Sequence, residues 1–199
     1  PPVGALMSNF QIGRIGLQYS DVPAPSAQAG QILVQTRVSL ISPGTERMLV
    51  EFSRSSLLAK ARSQPDKVRQ LVVKIKNDGL LPAAQAVRSR LDEPMPLGYC
   101  NVGTVLEVGR GVTGFAPGQR VVTNGPHAEI VAVPATLAAR VPDEVDDESA
   151  AFSVLGAIAL NGVRLLEPTL GEEFAVVGLG LLGLLGVQLL RANGCRVLA

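Results

Sequence analysis

The stretch Phe174-Ala-Val-Val-Gly-Leu-Gly-Leu-Leu-Gly183 decides how this chain is interpreted. Its first four residues form a continuous apolar run, which is typical of a buried parallel strand. The next six residues have the pattern G-x-G-x-x-G. An apolar helical pattern follows from Leu184 to Ala192, and Cys195-Arg-Val-Leu198 then resumes a strand. Strand, glycine turn, helix and second strand in this order predict the opening of a dinucleotide-binding α/β fold.

Each glycine of the pattern has a chemical reason to be there. Gly178 permits a tight turn, Gly180 removes a side chain that would block a diphosphate, and Gly183 lets the helix pack on the strand. The start of the helix then offers backbone N–H groups and a positive dipole end to the phosphates. The predicted cofactor-binding residues are Gly178, Leu179, Gly180, Leu181, Leu182 and Gly183. A glycine-rich turn in a fold that binds no nucleotide is the alternative.

The cofactor is predicted to be NAD or NADP. An acidic residue ~20 positions beyond the glycines would bind the ribose hydroxyls, and the chain reaches Ala199 before that point. Because it stops within a strand pattern, we expect the dinucleotide-binding domain to be truncated here.

The preceding part of the chain is rich in short strand patterns separated by glycine and proline turns. Ile32, Val34, Thr36, Val38 and Leu40 alternate with more polar residues, as strands with one buried face do. Further candidate strands cover 102–108, 120–123 and 129–133. This pattern predicts a small barrel-like β unit.

Residues 47–93 instead have helical patterns and carry ten Lys/Arg against five Asp/Glu. The apolar positions Val68, Leu71, Val72 and Ile75 predict one amphipathic helix, and Pro82 begins another. A solvated helical face explains the basic residues, and a cover over an anionic ligand is the alternative. Downstream, a single helix is predicted from Asp146 through Ile158.

Composition excludes several classes of protein. The chain has 199 residues, a net charge of +1, two cysteines and one histidine. This charge provides no field for nucleic acid or anionic lipid, so neither nucleic acid nor a membrane is an expected partner. Two cysteines cannot form a disulfide framework, and we expect a cytoplasmic protein.

Several motifs outside the glycine turn resemble the medium-chain dehydrogenase/reductase family, the alcohol dehydrogenase-like enzymes. They are Ile41-Ser-Pro-Gly-Thr-Glu46, Pro96-Leu-Gly-Tyr-Cys100, Gly103-Thr-Val-Leu-Glu-Val-Gly109, Gly118-Gln-Arg-Val121 and His127-Ala-Glu-Ile130. The resemblance covers nearly the whole chain. It is closer still to the front half of bi-domain oxidoreductases, through Ser39 to Phe52, Leu97 to Asn101, Asn124 to Glu129 and Leu155 to Leu160. Bacteriochlorophyllide-type dehydrogenases share the Gly-Thr-Glu-Arg run and are the nearest alternative.

The resemblance implies a fold of class α/β and β. Residues 1–9 would be a tail, 10–141 a GroES-like β-barrel domain with a helical segment at 47–93, and 142–199 the first βαβ portion of a Rossmann fold. A homodimer and a fused C-terminal oxidoreductase domain are further expectations from the resemblance.

The resemblance also implies an active site without zinc. The ligand positions of zinc-dependent members hold Pro43, Tyr99 and, approximately, Val154, none of which ligates zinc in the usual way. Cys100, His127 and Glu46 are the remaining donors, and their spacing matches no known site. The predicted site therefore has no metal.

Four residues are the candidate catalytic groups. Thr45 lies at the family's proton-relay hydroxyl, and Tyr99 could donate from its phenol. Glu46 matches an acidic position that orients the backbone or an arginine such as Arg47, and His127 is the general acid suited to neutral pH. Each also has a purely structural interpretation, and Cys100 is interpreted as a small buried apolar residue.

These features favour a zinc-independent, NAD(P)-dependent oxidoreductase. Its substrate would be a small polar metabolite, such as a sugar or nucleotide sugar in polysaccharide biosynthesis. We expect this stretch of chain to be inactive by itself. A nucleotide-binding but catalytically inactive module of a fused oxidoreductase is the alternative, and a structural or interaction domain is a third reading.

Overall fold

The computed structural model describes residues 6–13, 16–54 and 95–199. Its strands are β1 Leu6–Gly13, β2 Gly16–Pro23, β3 Gln31–Ser39, β4 Met95–Pro96, β5 Asn101–Val108, β6 Arg120–Thr123, β7 Ile130–Pro134, β8 Ala138–Arg140, β9 Glu173–Ala175 and β10 Arg196–Leu198. Its helices are α1 Pro43–Arg54, α2 Asp147–Ala150, α3 Ser153–Leu165 and α4 Leu181–Ala192. Within these described ranges, no helix is long and apolar enough to cross a membrane.

Five strands form an antiparallel sheet in the order β7-β3-β5-β6-β8. The strands predicted near 32–40, 102–108, 120–123 and 129–133 are therefore confirmed, with bounds that differ by at most one residue. The alternation in β3 predicted one buried face, yet Ile32, Leu33 and Val34 are all buried. Because the pairing of β3 with β5 shifts register between Leu33 and Val34, the strict alternation of faces is interrupted there.

A second sheet, in the order β2-β1-β4, packs onto the same core. The core consists of Met7, Ile32, Val34, Val105, Val121, Ala128, Val131 and Val133. Burying an aliphatic side chain of this kind contributes about 1.5–3 kcal/mol. Met7 and Asn9 are buried, so the predicted tail at 1–9 is wrong from Leu6 onward. The backbones of Ser8 and Glu129 also hydrogen-bond, which ties β1 to the turn before β7.

Helix α1 begins at Pro43, four residues before the predicted start of the helical segment at 47. Proline favours the first position of a helix because its fixed φ suits the helix and its nitrogen has no hydrogen to leave unpaired. The carboxylate of Glu46 also reaches back to accept a hydrogen bond from the backbone N–H of Ser42. Thr45 and Glu46 therefore lie in the first helical turn. The helices predicted around Val68 to Ile75 and from Pro82 lie outside the described residues.

The single helix predicted from Asp146 to Ile158 is two helices, α2 and α3. The side chain of Asp146 accepts a hydrogen bond from the backbone N–H of Ser149 and so caps α2. This bond holds the pKa of Asp146 below its usual range. Ala150 and Ala151 then pack against Val102 and Val122 of the sheet and against Val141, which follows β8. Burial of this short turn on the β unit explains why the chain bends before α3.

The end of the chain forms the predicted βαβ unit. Strands β9 and β10 are parallel neighbours, with Val197 opposite Phe174, and α4 connects them. Val163, Leu190 and Cys195 form the core of this unit. The first strand is shorter than the predicted 174–177, because it ends at Ala175 and Val177 is 98% exposed.

Replacing Gly103 tests the close contact between β3 and β5. A Cβ at Gly103 would lie 2.1 Å from the carbonyl oxygen of Gln35, so Gly103→Ala must separate the two strands. We expect the free energy of unfolding to fall by about 1–3 kcal/mol, as measured by urea unfolding of the full-length protein. The matched control is Gly156→Ala in α3, where a Cβ meets no atom within 4 Å, and alanine should add about 0.5–1 kcal/mol. Equal unfolding midpoints for the two variants would contradict this packing.

Candidate functional site

The glycine turn after β9 folds back onto the first turn of α4. Gly178 has a φ of +95°, a conformation that other residues rarely adopt. A Cβ at Gly183 would lie 1.9 Å from the carbonyl oxygen of Gly178. Gly183 therefore has no room for a side chain, and its backbone packs directly on the turn.

The start of α4 is open above this turn. Gly180 is extended (φ −76°, ψ −171°), and a Cβ placed on it would meet no atom within 4 Å. The backbone N–H of Leu184 makes the first intrahelical bond, to the carbonyl of Gly180 at 2.9 Å. The N–H groups of Leu181, Leu182 and Gly183 precede that bond, so the helix does not use them. An anion such as a diphosphate fits the chemistry of this helix start.

Two of the four catalytic candidates meet through their hydroxyl groups. The phenol of Tyr99, in the segment between β4 and β5, donates a hydrogen bond to Oγ1 of Thr45 at 3.4 Å. Thr45 is exposed in the first turn of α1, and Tyr99 is partly exposed. The two hydroxyl groups are thus accessible to a ligand.

The other two candidates, Glu46 and His127, form a buried pair. Nε2 of His127 lies 3.0 Å from Oε2 of Glu46, and the residues are 8% and 7% exposed. The other carboxylate oxygen of Glu46 accepts the N–H of Ser42 at 2.8 Å. Nδ1 of His127 lies 2.9 Å from Oγ of Ser39. With Glu46 as a carboxylate, Nε2 carries the hydrogen and Nδ1 accepts the hydroxyl hydrogen of Ser39.

Glu46 orients the backbone at Ser42, which is one of its two predicted roles, and it does not pair with Arg47. The Nε of Arg47 lies 2.7 Å from Glu51 instead, four residues further along α1. The expected partner was wrong because consecutive residues of a helix point in different directions, whereas residues four apart are neighbours.

Sequence reasoning missed the residues that hold Glu46 and His127. Ser39 and Ser42 gave no signal, because serines are common at the ends of strands and helices. Gly98 lies in the Pro96–Cys100 motif beside Tyr99, but that motif did not indicate a contact with His127. Gly98 has a φ of +93°, and a Cβ there would lie 2.6 Å from the His127 ring. The ring therefore packs directly on the backbone of Gly98.

Cys100 is fully buried close to this pair, as predicted for a small apolar residue. Burial raises the pKa of its thiol to about 11, and the negative charge of Glu46 adds to the increase. The thiol is therefore neutral at physiological pH and lacks the thiolate that makes cysteine a nucleophile.

The side chains of this region do not fit a zinc site. Across the described residues, no group of three or more His, Cys, Asp or Glu side chains is arranged to hold a metal ion. Where the resemblance would place ligands, Pro43 starts α1 and Tyr99 hydrogen-bonds Thr45. Neither side chain is one of zinc's usual ligands, which are Cys, His, Asp and Glu.

A surface cleft of about 250 Å³ lies beside His127. Its lining is mainly polar in residue type: Ser8, Tyr19, Thr36, Ser39, His127, Ala128 and Glu129. Ser39 and His127 line this cleft. His127 also belongs to the buried pair with Glu46, and Ser39 bonds its Nδ1.

Comparison with known proteins independently supports the predicted family resemblance and fold class. Residues 67–143 match the family model described as the alcohol dehydrogenase GroES-like domain. The chain is 27% identical over 164 residues to acryloyl-coenzyme A reductase of Metallosphaera sedula, covering 64% of this chain and 49% of the relative. It is 30% identical to (R,R)-butanediol dehydrogenase of Bacillus subtilis, covering 51% and 37%. It is 32% identical to D-guloside 3-dehydrogenase of Escherichia coli, covering 51% and 30%. The chain thus spans half or less of these relatives.

Solved structures have the same fold. The 2R,3R-butanediol dehydrogenase of Bacillus subtilis matches with a TM-score of 0.67 at 21% identity, covering 95% of this chain and 56% of that one. The Escherichia coli quinone oxidoreductase complexed with NADPH matches with a TM-score of 0.65 at 20% identity, covering 96% and 51%. The predicted resemblance to the medium-chain dehydrogenase/reductase family is confirmed by these matches. The predicted class, a GroES-like β unit followed by the start of a Rossmann fold, is also confirmed.

The raised pKa of Cys100 predicts slow thiol chemistry. A shift of about two units from 9.0 leaves roughly 100-fold less thiolate at pH 8. We expect alkylation of the Cys100 peptide by iodoacetamide, followed by mass spectrometry, to be at least about 100-fold slower in the native protein than in urea. Since the unfolded thiol ionises first, the stabilisation from this group is lost as pH rises from 9 towards 11. Native alkylation as fast as in urea would contradict the burial.

Proposed function

We propose that this chain is the front part of an NAD(P)-dependent oxidoreductase that works without zinc on a small polar metabolite. The open start of α4 carries the proposal. Gly180 leaves space above N–H groups that the helix does not use, and Gly183 fixes the turn that aims them. The NADPH in the related quinone oxidoreductase supports the same type of cofactor here.

Binding of the cofactor is the task of residues 178–183. The N–H groups of Leu181 and Leu182 would donate to the diphosphate oxygens, and Gly178 would keep the turn clear of them. The nicotinamide supplies or accepts the hydride.

Proton transfer is the task of Thr45 and Tyr99. Because Tyr99 donates its hydrogen to Oγ1 of Thr45, the hydroxyl hydrogen of Thr45 is left to bond the substrate oxygen. During reduction that oxygen gains a proton, which Thr45 would donate and Tyr99 would replace, and solvent water would return a proton to the partly exposed Tyr99. During oxidation the proton moves in the opposite direction. Glu46 and His127 are buried in contact with one another, which favours a supporting role for both.

A sugar is the substrate class that we favour. The relative named D-guloside 3-dehydrogenase acts on a sugar derivative by its name, and this name supports a sugar derivative as the substrate. A place in polysaccharide biosynthesis, a cytoplasmic location, a homodimer and a fused second oxidoreductase domain extend the proposal. They rest on the resemblance.

Substitution of Gly180 tests the cofactor site. The backbone at Gly180 is open to any residue, so Gly180→Val should fold, but its side chain would occupy the space of the diphosphate. We expect the Kd of the full-length protein for NADPH or NADH, measured by nicotinamide fluorescence, to rise about 10–100-fold, since charge-assisted hydrogen bonds contribute about 1.5–3 kcal/mol. Gly186→Val, on the same helix with open space, is the control. Equal affinities for the two variants would refute the assignment.

Turnover without metal tests the reaction. The full-length protein, dialysed against EDTA, is assayed by nicotinamide absorbance with a methyl hexoside, 2,3-butanediol, acryloyl-coenzyme A and a quinone. We expect turnover of at least one probe at a rate unchanged by EDTA, and about 10²-fold slower turnover in Thr45→Val. Loss of activity in EDTA that zinc restores would overturn zinc independence. Cofactor binding without turnover of any probe would favour the alternative, an inactive nucleotide-binding module.

A further inference from the structure

We propose that His127 is a positioning residue that cross-links three segments of the site: the end of β3, the first turn of α1 and the segment between β4 and β5. This inference rests on the proposed function, because it assigns Thr45 and Tyr99 to proton transfer. His127 itself does not touch the substrate in this assignment.

The cross-link contacts all three segments. The backbone N–H of His127 donates to the carbonyl of Leu97 at 2.7 Å, and its ring packs on Gly98, so it holds the segment that carries Tyr99. Nε2 bonds Glu46 in the first turn of α1, beside Thr45. Nδ1 bonds Ser39 at the end of β3.

Glu46 passes this constraint to the start of α1. One carboxylate oxygen bonds His127 and the other bonds the N–H of Ser42. The loop that enters α1 therefore cannot rotate without breaking one of these bonds. Since Thr45 lies next to Glu46 in the same turn, its hydroxyl is held towards Tyr99.

Burial makes the arrangement rigid. His127 and Glu46 are nearly inaccessible to water, and a buried ionic group that loses its partner is strongly disfavoured. The pair therefore has few alternative partners. Displacing reacting groups by about 1 Å can slow a reaction ~10²-fold, which sets the size of the effect expected from loosening the cross-link.

Variants of the full-length protein separate positioning from simple stability. His127→Phe keeps an aromatic ring but makes no hydrogen bond to Glu46 or Ser39. His127→Gln keeps a donor that can reach Glu46. Ser39→Ala removes only the hydrogen bond between Ser39 and Nδ1 of His127. Glu51→Gln is the control for Glu46→Gln, because Glu51 lies on the same helix, paired with Arg47 at the surface.

Hydrogen exchange gives a readout that does not require turnover. We expect faster amide exchange at residues 42–46 and 97–100 in His127→Phe and Glu46→Gln, partial recovery in His127→Gln, and no change in Glu51→Gln. Exchange at 178–183 and the Kd for NADPH should stay unchanged. Unchanged exchange at both site segments in His127→Phe would overturn the cross-link. If His127→Phe does not fold, the same exchange measurement on Glu46→Gln and Ser39→Ala tests whether the cross-link exists.

Kinetics with a probe that the wild type turns over completes the test. We expect kcat to fall about 100-fold in His127→Phe and about tenfold or less in His127→Gln, with KM and the cofactor Kd close to wild type. A wild-type kcat in His127→Phe would refute positioning while the proposed function stands. If the wild type turns over no probe, the proposed function fails, and hydrogen exchange still decides whether the cross-link exists.

Discussion

The carboxylate of Glu46 is the group on which the arrangement of the candidate site depends. One oxygen fixes the backbone at the entry to α1, and the other bonds a histidine that is anchored to two further segments. Because both oxygens are occupied, a single side chain sets where α1 begins and how its first turn faces the β unit. Tyr99 and Thr45 meet as a consequence.

The glycine turn at residues 178–183 depends on a different constraint, the absence of a side chain at Gly183. The helix backbone touches the carbonyl of Gly178, and this contact directs the first N–H groups of α4 into open space. The proposed cofactor binding and the proposed proton transfer therefore rest on separate local structures. Substitutions in one are expected to leave the other intact, which is why the two tasks can be tested independently.

Local patterns were sufficient to predict the fold class from the sequence. The glycine turn, the apolar run before it and the helix after it are encoded by neighbouring residues, as are most strands of the five-stranded sheet. Features that depend on distant contacts were missed. The predicted tail includes the start of β1, Leu6 to Asn9, because Met7 packs in a core built mainly by strands far along the chain. Helix α2 is separate from α3 because Ala150 and Ala151 pack on the β unit.

The candidate site shows the same division between features that neighbouring residues encode and features that depend on distant contacts. Thr45, Tyr99, Glu46 and His127 were selected from motifs, but their pairing joins residues more than fifty positions apart. Nothing in the sequence indicated that Ser39 and Gly98 hold the histidine. Hydrogen bonds between distant segments follow from the three-dimensional packing, which the order of residues does not reveal.

A crystal structure of the full-length protein with NADPH is the most direct test of the central claim, that the backbone at the start of α4 binds the diphosphate of a nicotinamide cofactor. The account predicts diphosphate oxygens about 2.7–3.2 Å from the backbone nitrogens of Leu181 and Leu182. A cofactor bound elsewhere, or a glycine turn filled by another part of the protein, would contradict it.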